Sequence, residues 1–191
     1  VLYNATPIVD KLPEIRSNDN VSILTLGSLN TVKNPGLWID VAFKLNKRFG
    51  SEILVFTWAG EGELLQEMAQ KVTNYNNINF IGLQYNTDML YRRADIYFQP
   101  SLWESHGIAV LEAMSYSLPC VVTNNGGTAE SIEDAKSGFL IDVNNEDEII
   151  ELLTKLIENK EMRETIGAKA KERHSNLFSI SQWYSELNKL F

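Results

Sequence analysis

The stretch DIYFQPSLWESHGIAVLEAMSYSLPCVVT, Asp95 to Thr123, reads in one run as strand, loop, helix and strand. Its β-branched and aromatic start stops at Pro100, which has no N–H to continue a ladder. Ser101 to Gly107 form a polar loop, and the helix that follows carries Glu112 and leads into the apolar strand LPCVVT. The same unit recurs outward from this stretch. VSILTL, EILVFTW, INFIG and GFLIDV are further short apolar runs, each followed by a polar turn and then helical periodicity. Alternating strands and helices predict a parallel sheet with helices on both faces. The expected fold class is therefore α/β, a three-layer α/β/α Rossmann-like domain with a mostly parallel sheet of about six strands.

Local signals mark several helices. Asn34 is placed to cap the first one, Pro35 suits its first turn, and Leu37, Val41, Ala42 and Leu45 form its apolar stripe. A second helix is predicted from about Glu63 to Thr73, burying Leu64, Leu65 and Met68. Past GFLIDV the helical pattern continues through NEDEIIELLTKLIENK, EMRETIGAKAKERHS and SISQWYSELNKLF. No repeat, low-complexity segment or linker interrupts the chain, so residues 1–191 are expected to form a single domain.

The 191 residues are 44% hydrophobic and 22% charged, with a net charge of -8, which argues against a nucleic-acid surface or a basic membrane-binding face. No apolar run reaches the roughly 20 residues that span a bilayer, and VLYNATPIVDKLPEIR lacks the pattern of a signal peptide. A cytoplasmic location is expected. The one cysteine, Cys120, sits in an apolar run and is read as core. His106 and His174 have no second ligand at useful spacing, so no metal site is expected.

Doubly wound sheets bind ligands where the loops leave the carboxyl ends of the strands. Here those exits read GSLNTVKN, AGEGE, GLQYN, PSLWESHG and TNNGGTAE. Small residues let the backbone approach a ligand, and helix N-termini behind them offer N–H groups to an anion. A phosphate-bearing ligand fits this edge. Taken singly, Glu104 is better explained as an acid in a first helical turn, Glu112 as a solvated helix residue and Lys33 as a solvated lysine near a helix start.

In order and approximate spacing these motifs resemble the C-terminal, donor-binding domain of the retaining glycosyltransferases of family 4, also called group 1, which have the GT-B fold. The resemblance covers nearly the whole chain and rests on two glutamates separated by seven residues, Glu104 and Glu112 in PSLWESHGIAVLEAMSYSLPCVV. LGSLNTVKN, AGEGE, INFIGLQ and TNNGGTAESI support it. It implies that Glu104 holds hydroxyls of a donor hexose and Glu112 the nucleotide ribose, through directional charge-assisted hydrogen bonds. Gly107 and the backbone of Ile108, Ala109 and Val110 would hold the diphosphate. Lys33 would bind the phosphates and stabilise the departing nucleoside diphosphate, so that Glu104 and Lys33 are the catalytic candidates. The sugar pocket would include His106, Gly107, Gly126 and Gly127. The nucleotide site would include Gly27, Ser28, Gly82 and Leu83, with Glu61 beside the base.

The chain departs from the family pattern at three places. Ser28 stands where arginine is frequent, His106 where an aromatic residue is usual, and Ser117 where glycine is common. A plain turn also accounts for Gly126 and Gly127. The resemblance further implies a UDP- or GDP-hexose as partner, no metal cofactor and a role in bacterial surface polysaccharide or glycoconjugate synthesis. A facing N-terminal acceptor domain is not part of this sequence. Contact with the inner membrane face would come only through that domain, and the 191-residue chain alone is expected to bind a donor without transferring it. Trp183, Tyr184, Leu187 and Phe191, at helical spacing, are expected to leave apolar surface uncovered.

Two other readings compete with this one. A non-catalytic nucleotide-binding Rossmann module is disfavoured as a dinucleotide binder, because GSLNTVKN is not G-x-G-x-x-G. A glycosidase would need Glu104 and Glu112 to flank one bond.

Overall fold

The computed structural model of the protein describes residues 3–9 and 20–189. Six strands, β1 (Val21–Leu26), β2 (Leu54–Ala59), β3 (Ile78–Phe80), β4 (Ile96–Gln99), β5 (Cys120–Thr123) and β6 (Phe139–Ile141), form one sheet in the order β3-β2-β1-β4-β5-β6. Every pair is parallel, with Ile23 opposite Ile96 and Tyr97 opposite Cys120. The expected Rossmann-like α/β fold is the observed one. Its strand order reverses between β1 and β4, the switch point beside whose carboxyl edge sheets of this kind bind ligands.

Among the described residues eight α-helices accompany the sheet: α1 (Pro35–Phe49), α2 (Leu65–Lys71), α3 (Asp88–Arg93), α4 (Ile108–Ser115), α5 (Thr128–Ser131), α6 (Glu146–Glu158), α7 (Lys160–Leu177) and α8 (Ile180–Leu187). Period-2 alternation divides each strand between two cores. Ile23, Phe56, Ile96, Phe98 and Val121 pack with Trp38 and Leu45 of α1 and Leu153 of α6. Leu24, Leu26, Tyr97, Cys120 and Val122 pack on the other face with Leu111 and Met114 of α4 and Ala170 of α7. Cys120 is fully buried, and burial raises its thiol pKa, in keeping with a core role.

Several local expectations change in the structure. Asn34 does not cap α1 with its side chain: it takes a left-handed φ of 54°, and the side chain that caps is Asn30, which accepts from the Lys33 N–H of a 3-10 turn, Thr31–Lys33. Pro35 does start α1. The second helix is shorter than predicted, running Leu65–Lys71, and the Leu64 N–H at its start is held by the Leu29 carbonyl at 3.0 Å. Ser117 has a φ of 59°, a backbone state that costs a side-chain-bearing residue and that glycine adopts freely. In α8 no residue is buried: Trp183 and Leu187 are half-buried and Tyr184 is exposed. Phe191 lies outside the described residues.

Candidate functional site

β1 and β4 lead into loops that meet. The Leu102 N–H donates to the Val32 carbonyl at 2.7 Å, which fixes the Glu104 loop against the 3-10 turn bearing Lys33. Lys33 Nζ then bonds Glu104 Oε2, with the two side chains only 19% and 11% exposed. The same oxygen accepts from Gln99 Nε2 at 2.7 Å and from Ser101 Oγ at 3.3 Å. Glu104 Oε1 accepts nothing among the described residues and is not sealed from solvent. The carboxylate therefore has one anchored oxygen and one open to a ligand hydroxyl.

Behind this loop α4 begins at Gly107, whose extended ψ of 99° turns the chain into the helix. The Val110 and Leu111 N–H groups both donate to the Gly107 carbonyl, at 2.9 and 3.2 Å. Val110 is thereby already engaged, and its side chain is fully buried. The Ile108 and Ala109 N–H groups have no acceptor among the described residues and form the part of the turn that can receive an anion. Glu112 follows one helical turn after Ile108, on the same face. Its Oε2 accepts from the Tyr91 hydroxyl of α3 at 2.7 Å, and that hydroxyl also reaches the Ala109 carbonyl at 3.2 Å. Burial raises the Tyr91 phenol pKa, so the group remains a donor.

The paired glycines are explained by a close approach of backbones. Gly127 N–H donates to the Glu104 carbonyl at 2.9 Å. A Cβ on Gly127 would sit 1.7 Å from the Ser105 carbonyl oxygen, and one on Gly126, at φ 79°, 2.0 Å from that of Glu104. The TNNGGTAE loop is therefore locked to the loop that carries Glu104. Gly27 lies beside Lys33, 3.6 Å from its Cε by the same construction. The AGEGE loop owes its glycines to the backbone of the first loop as well, since Gly60 and Gly62 leave room for the Gly27 and Leu29 carbonyls. Gly82 accepts from Gly60 N–H at 2.9 Å and carries a φ of 69°. Leu83 and Glu61 are exposed beside it, with the Glu61 carbonyl bound to Leu29 N–H. Ser28 is exposed at the mouth, its Oγ accepting from Asn30 Nδ2 at 3.1 Å.

His106 turns away from this cluster. Its ring stacks on Tyr3 at 5.6 Å and lies 5.8 Å from Phe178, and burial lowers its pKa. Expected at the sugar pocket, the ring packs among aromatic side chains instead. Its ring nitrogen reaches Ser131 Oγ at 3.4 Å rather than the Glu104 oxygens. Among the described residues no group of three or more His, Cys, Asp or Glu side chains could hold a metal. Three residues next to the glutamates escaped sequence reasoning: Gln99, Ser101 and Tyr91. The available signal was a glutamine at the end of a strand that is otherwise apolar.

The family described as glycosyl transferases group 1 matches residues 10–173. The chain belongs to this family. Among curated relatives of this group 1 member, the UDP-Gal:alpha-D-GlcNAc-diphosphoundecaprenol alpha-1,3-galactosyltransferase of Escherichia coli is 25% identical, over 98% of this chain and 49% of that one. The capsular polysaccharide biosynthesis glycosyltransferase CapM of Staphylococcus aureus is 26% identical, over 90% and 38%. The chain thus spans about half, or less, of the length of these relatives. A solved structure of Anabaena Alr3699/HepE, in complex with UDP and glucose, superposes with a TM-score of 0.80 at 20% identity, over 90% of this chain and 48% of that one. That likeness confirms the fold of the group 1 domain.

Proposed function

We propose that this chain is the C-terminal, nucleotide-sugar-binding half of a retaining family 4 glycosyltransferase of the GT-B type. It would pass a hexose from a UDP- or GDP-sugar to a hydroxyl acceptor in bacterial surface polysaccharide or glycoconjugate synthesis. The observation that carries this reading is the meeting of Lys33, Glu104 and the α4 N-terminus at one switch point. Glu104 Oε1 would accept hydroxyls of the hexose. The Ile108 and Ala109 N–H groups and Lys33 would hold the diphosphate, and Glu112 the ribose. Gly27, Ser28, Gly82 and Leu83 would border the nucleotide.

As the bond from the sugar carbon to the phosphate oxygen breaks, negative charge grows on the leaving diphosphate, where a positioned ammonium and two N–H dipoles stabilise it. No metal ion enters the proposed scheme. The acceptor would be held by a facing N-terminal domain, and such alignment can supply about 7 to 11 kcal/mol of a barrier. We place the protein in the cytoplasm, at the inner membrane face when that domain binds there. UDP is the first nucleotide to test, since the Escherichia coli relative is named for UDP-Gal and the Anabaena structure is a complex with UDP.

Titration calorimetry with UDP, GDP, NAD, UDP-glucose and UDP-galactose tests the reading. It expects binding of one nucleoside diphosphate, tighter binding of a matching nucleotide sugar and none of NAD. Binding of NAD with neither diphosphate bound would overturn it.

A further inference from the structure

We infer that Gln99 is a positioning residue for the donor sugar, acting through Glu104. The inference rests on the donor-site reading above and deepens it, by assigning how the sugar-binding carboxylate is kept in place once phosphate is bound.

On β4, Tyr97 and Gln99 point to the same face, and the row continues beyond Pro100 to Ser101. All three are buried, Gln99 being 3% exposed. The Tyr97 hydroxyl donates to Gln99 Oε1 at 2.5 Å and lies 3.2 Å from the Leu26 carbonyl. Oε1 is thereby the acceptor end of the amide, and the NH2 end faces the carboxylate, which can only accept. Its two hydrogens go to Glu104 Oε2 at 2.7 Å and Ser101 Oγ at 3.2 Å. Every polar atom of the amide is engaged, and the engagement ends on Glu104.

A buried glutamine could be a mere satisfied core residue, but Tyr97 does not need it, because the Leu26 carbonyl is an alternative acceptor. The residue that does need it is Glu104. Lys33 is the strongest charge on Oε2, yet it is also the group proposed to hold the diphosphate. An ammonium drawn to phosphate weakens its hold on the carboxylate. Gln99 is neutral and out of a ligand's reach, so its bond persists in either state. It keeps Oε2 occupied and leaves Oε1 as the oxygen presented to the sugar. Such support of a binding group by packed, hydrogen-bonded neighbours is what fixes a constellation to within about 0.5 Å.

The test uses two variants of near-equal volume. Gln99→Met removes the donor without adding charge, and Gln99→Leu does so with a shorter, branched side chain. UDP, UDP-glucose and UDP-galactose are titrated by calorimetry into each variant, into the unaltered protein, into Glu104→Ala and into the Gln99→Met, Glu104→Ala double variant. We expect UDP affinity within about twofold of the unaltered protein, and about a tenfold loss of the extra affinity conferred by the hexose, the lower end for a bond to a charged group. In the Glu104→Ala background, Gln99→Met should cost the hexose increment nothing further, since the two act as one unit. A purely structural role would instead weaken UDP and UDP-sugar alike, or add to the Glu104→Ala loss, and either result overturns the inference. If Gln99→Met does not fold, Gln99→Leu decides by the same comparison. A hexose increment that survives in the folded Gln99 variants sinks this inference and leaves the donor site standing. An unaltered protein that binds no nucleotide removes the donor-site reading, and this inference with it.

Discussion

Lys33 and Glu104 form an ion pair between two strand exits, 71 residues apart in sequence, with the ammonium on the one carboxylate oxygen that Gln99 and Ser101 also occupy. The pair is largely withdrawn from water, so it is screened less than a surface bridge. It also means that the proposed phosphate ligand is already engaged and must be shared or exchanged when a diphosphate arrives. Binding and rearrangement are therefore coupled at this residue.

Lys33→Met should lower UDP affinity about ten- to a hundredfold, the cost of about 1.5 to 3 kcal/mol for a bond involving a charged group. Uridine, which lacks phosphate, should be affected far less, and the salt dependence of UDP binding should flatten. Calorimetry at two ionic strengths reads both. An equal loss for uridine would place Lys33 away from the phosphates.

Glu112 is held by Tyr91 across α3 and α4, at 2.7 Å. Glu112→Ala should weaken UDP and UDP-sugars alike by about ten- to a hundredfold, since the ribose is common to both, whereas Glu104→Ala should spare UDP. Tyr91→Phe should cost about fivefold for both ligands, the share of one neutral donor. Nucleotide binding unchanged in Glu112→Ala would refute the ribose assignment.

The glycine pair gives a test of the loop lock rather than of chemistry. Gly127→Ala must move backbone, because its Cβ would meet the Ser105 carbonyl oxygen at 1.7 Å, and Gly126→Ala adds a positive φ. Each should lower stability by about 1 to 3 kcal/mol. Gly36→Ala, in α1 with nothing within 4 Å, should be neutral or stabilising by up to about 1 kcal/mol. Thermal unfolding of the three variants separates the cases, and a Gly127→Ala protein as stable as the unaltered one would mean that the two loops are not locked.

All six strands and the parallel sheet were legible in the sequence, because buried parallel strands are short apolar runs whose boundaries Gly and Pro mark. The sequence also singled out Glu104, Glu112 and Lys33 through their spacing within a family pattern, and the structure brings Lys33 onto Glu104. What the sequence hid was which atoms those side chains touch. Asn34 looked like a cap by residue type, but in its left-handed backbone its side chain makes no cap bond to α1, and Asn30 caps the preceding 3-10 turn. Val110 seemed available to an anion, yet its N–H closes onto Gly107. His106 lies two residues from Glu104 and turns to Tyr3, more than 100 positions away, a contact that no local pattern encodes. Tertiary pairing of polar groups depends on rotamers and loop paths, and neither follows from periodicity.

His174 carries the pH prediction. The ring is fully buried on α7, and its Nε2 lies 2.8 Å from Thr6 Oγ1, while Nδ1 has no partner among the described residues. Burial, with the Lys171 ammonium adding to it, pushes the pKa down from the usual 6.5 to about 4. In the unfolded chain the ring takes up a proton near pH 6.5, which the folded protein resists until about pH 4. Between those values the unfolded state binds more protons, so the slope of unfolding free energy with pH is positive. Stability contributed by the neutral ring is complete above about pH 6.5 and is lost as pH falls toward 4, by at most about 1.4 kcal/mol per pH unit. Thr6 belongs to the segment 3–9, which is tied to the α7–α8 junction by the Thr6 N–H to Phe178 carbonyl bond of 3.0 Å and the Ile180 N–H to Thr6 carbonyl bond of 3.2 Å. His174→Gln keeps a group able to pair with Thr6 and removes the titration. Urea unfolding at pH 7.0, 6.0, 5.0 and 4.5, about the span of the shifted titration, should show a shallower loss of stability in the variant than in the unaltered protein. The carboxylates that also titrate there are common to both proteins and cancel in the difference. Parallel curves would show that the buried ring does not set the acid sensitivity of this fold.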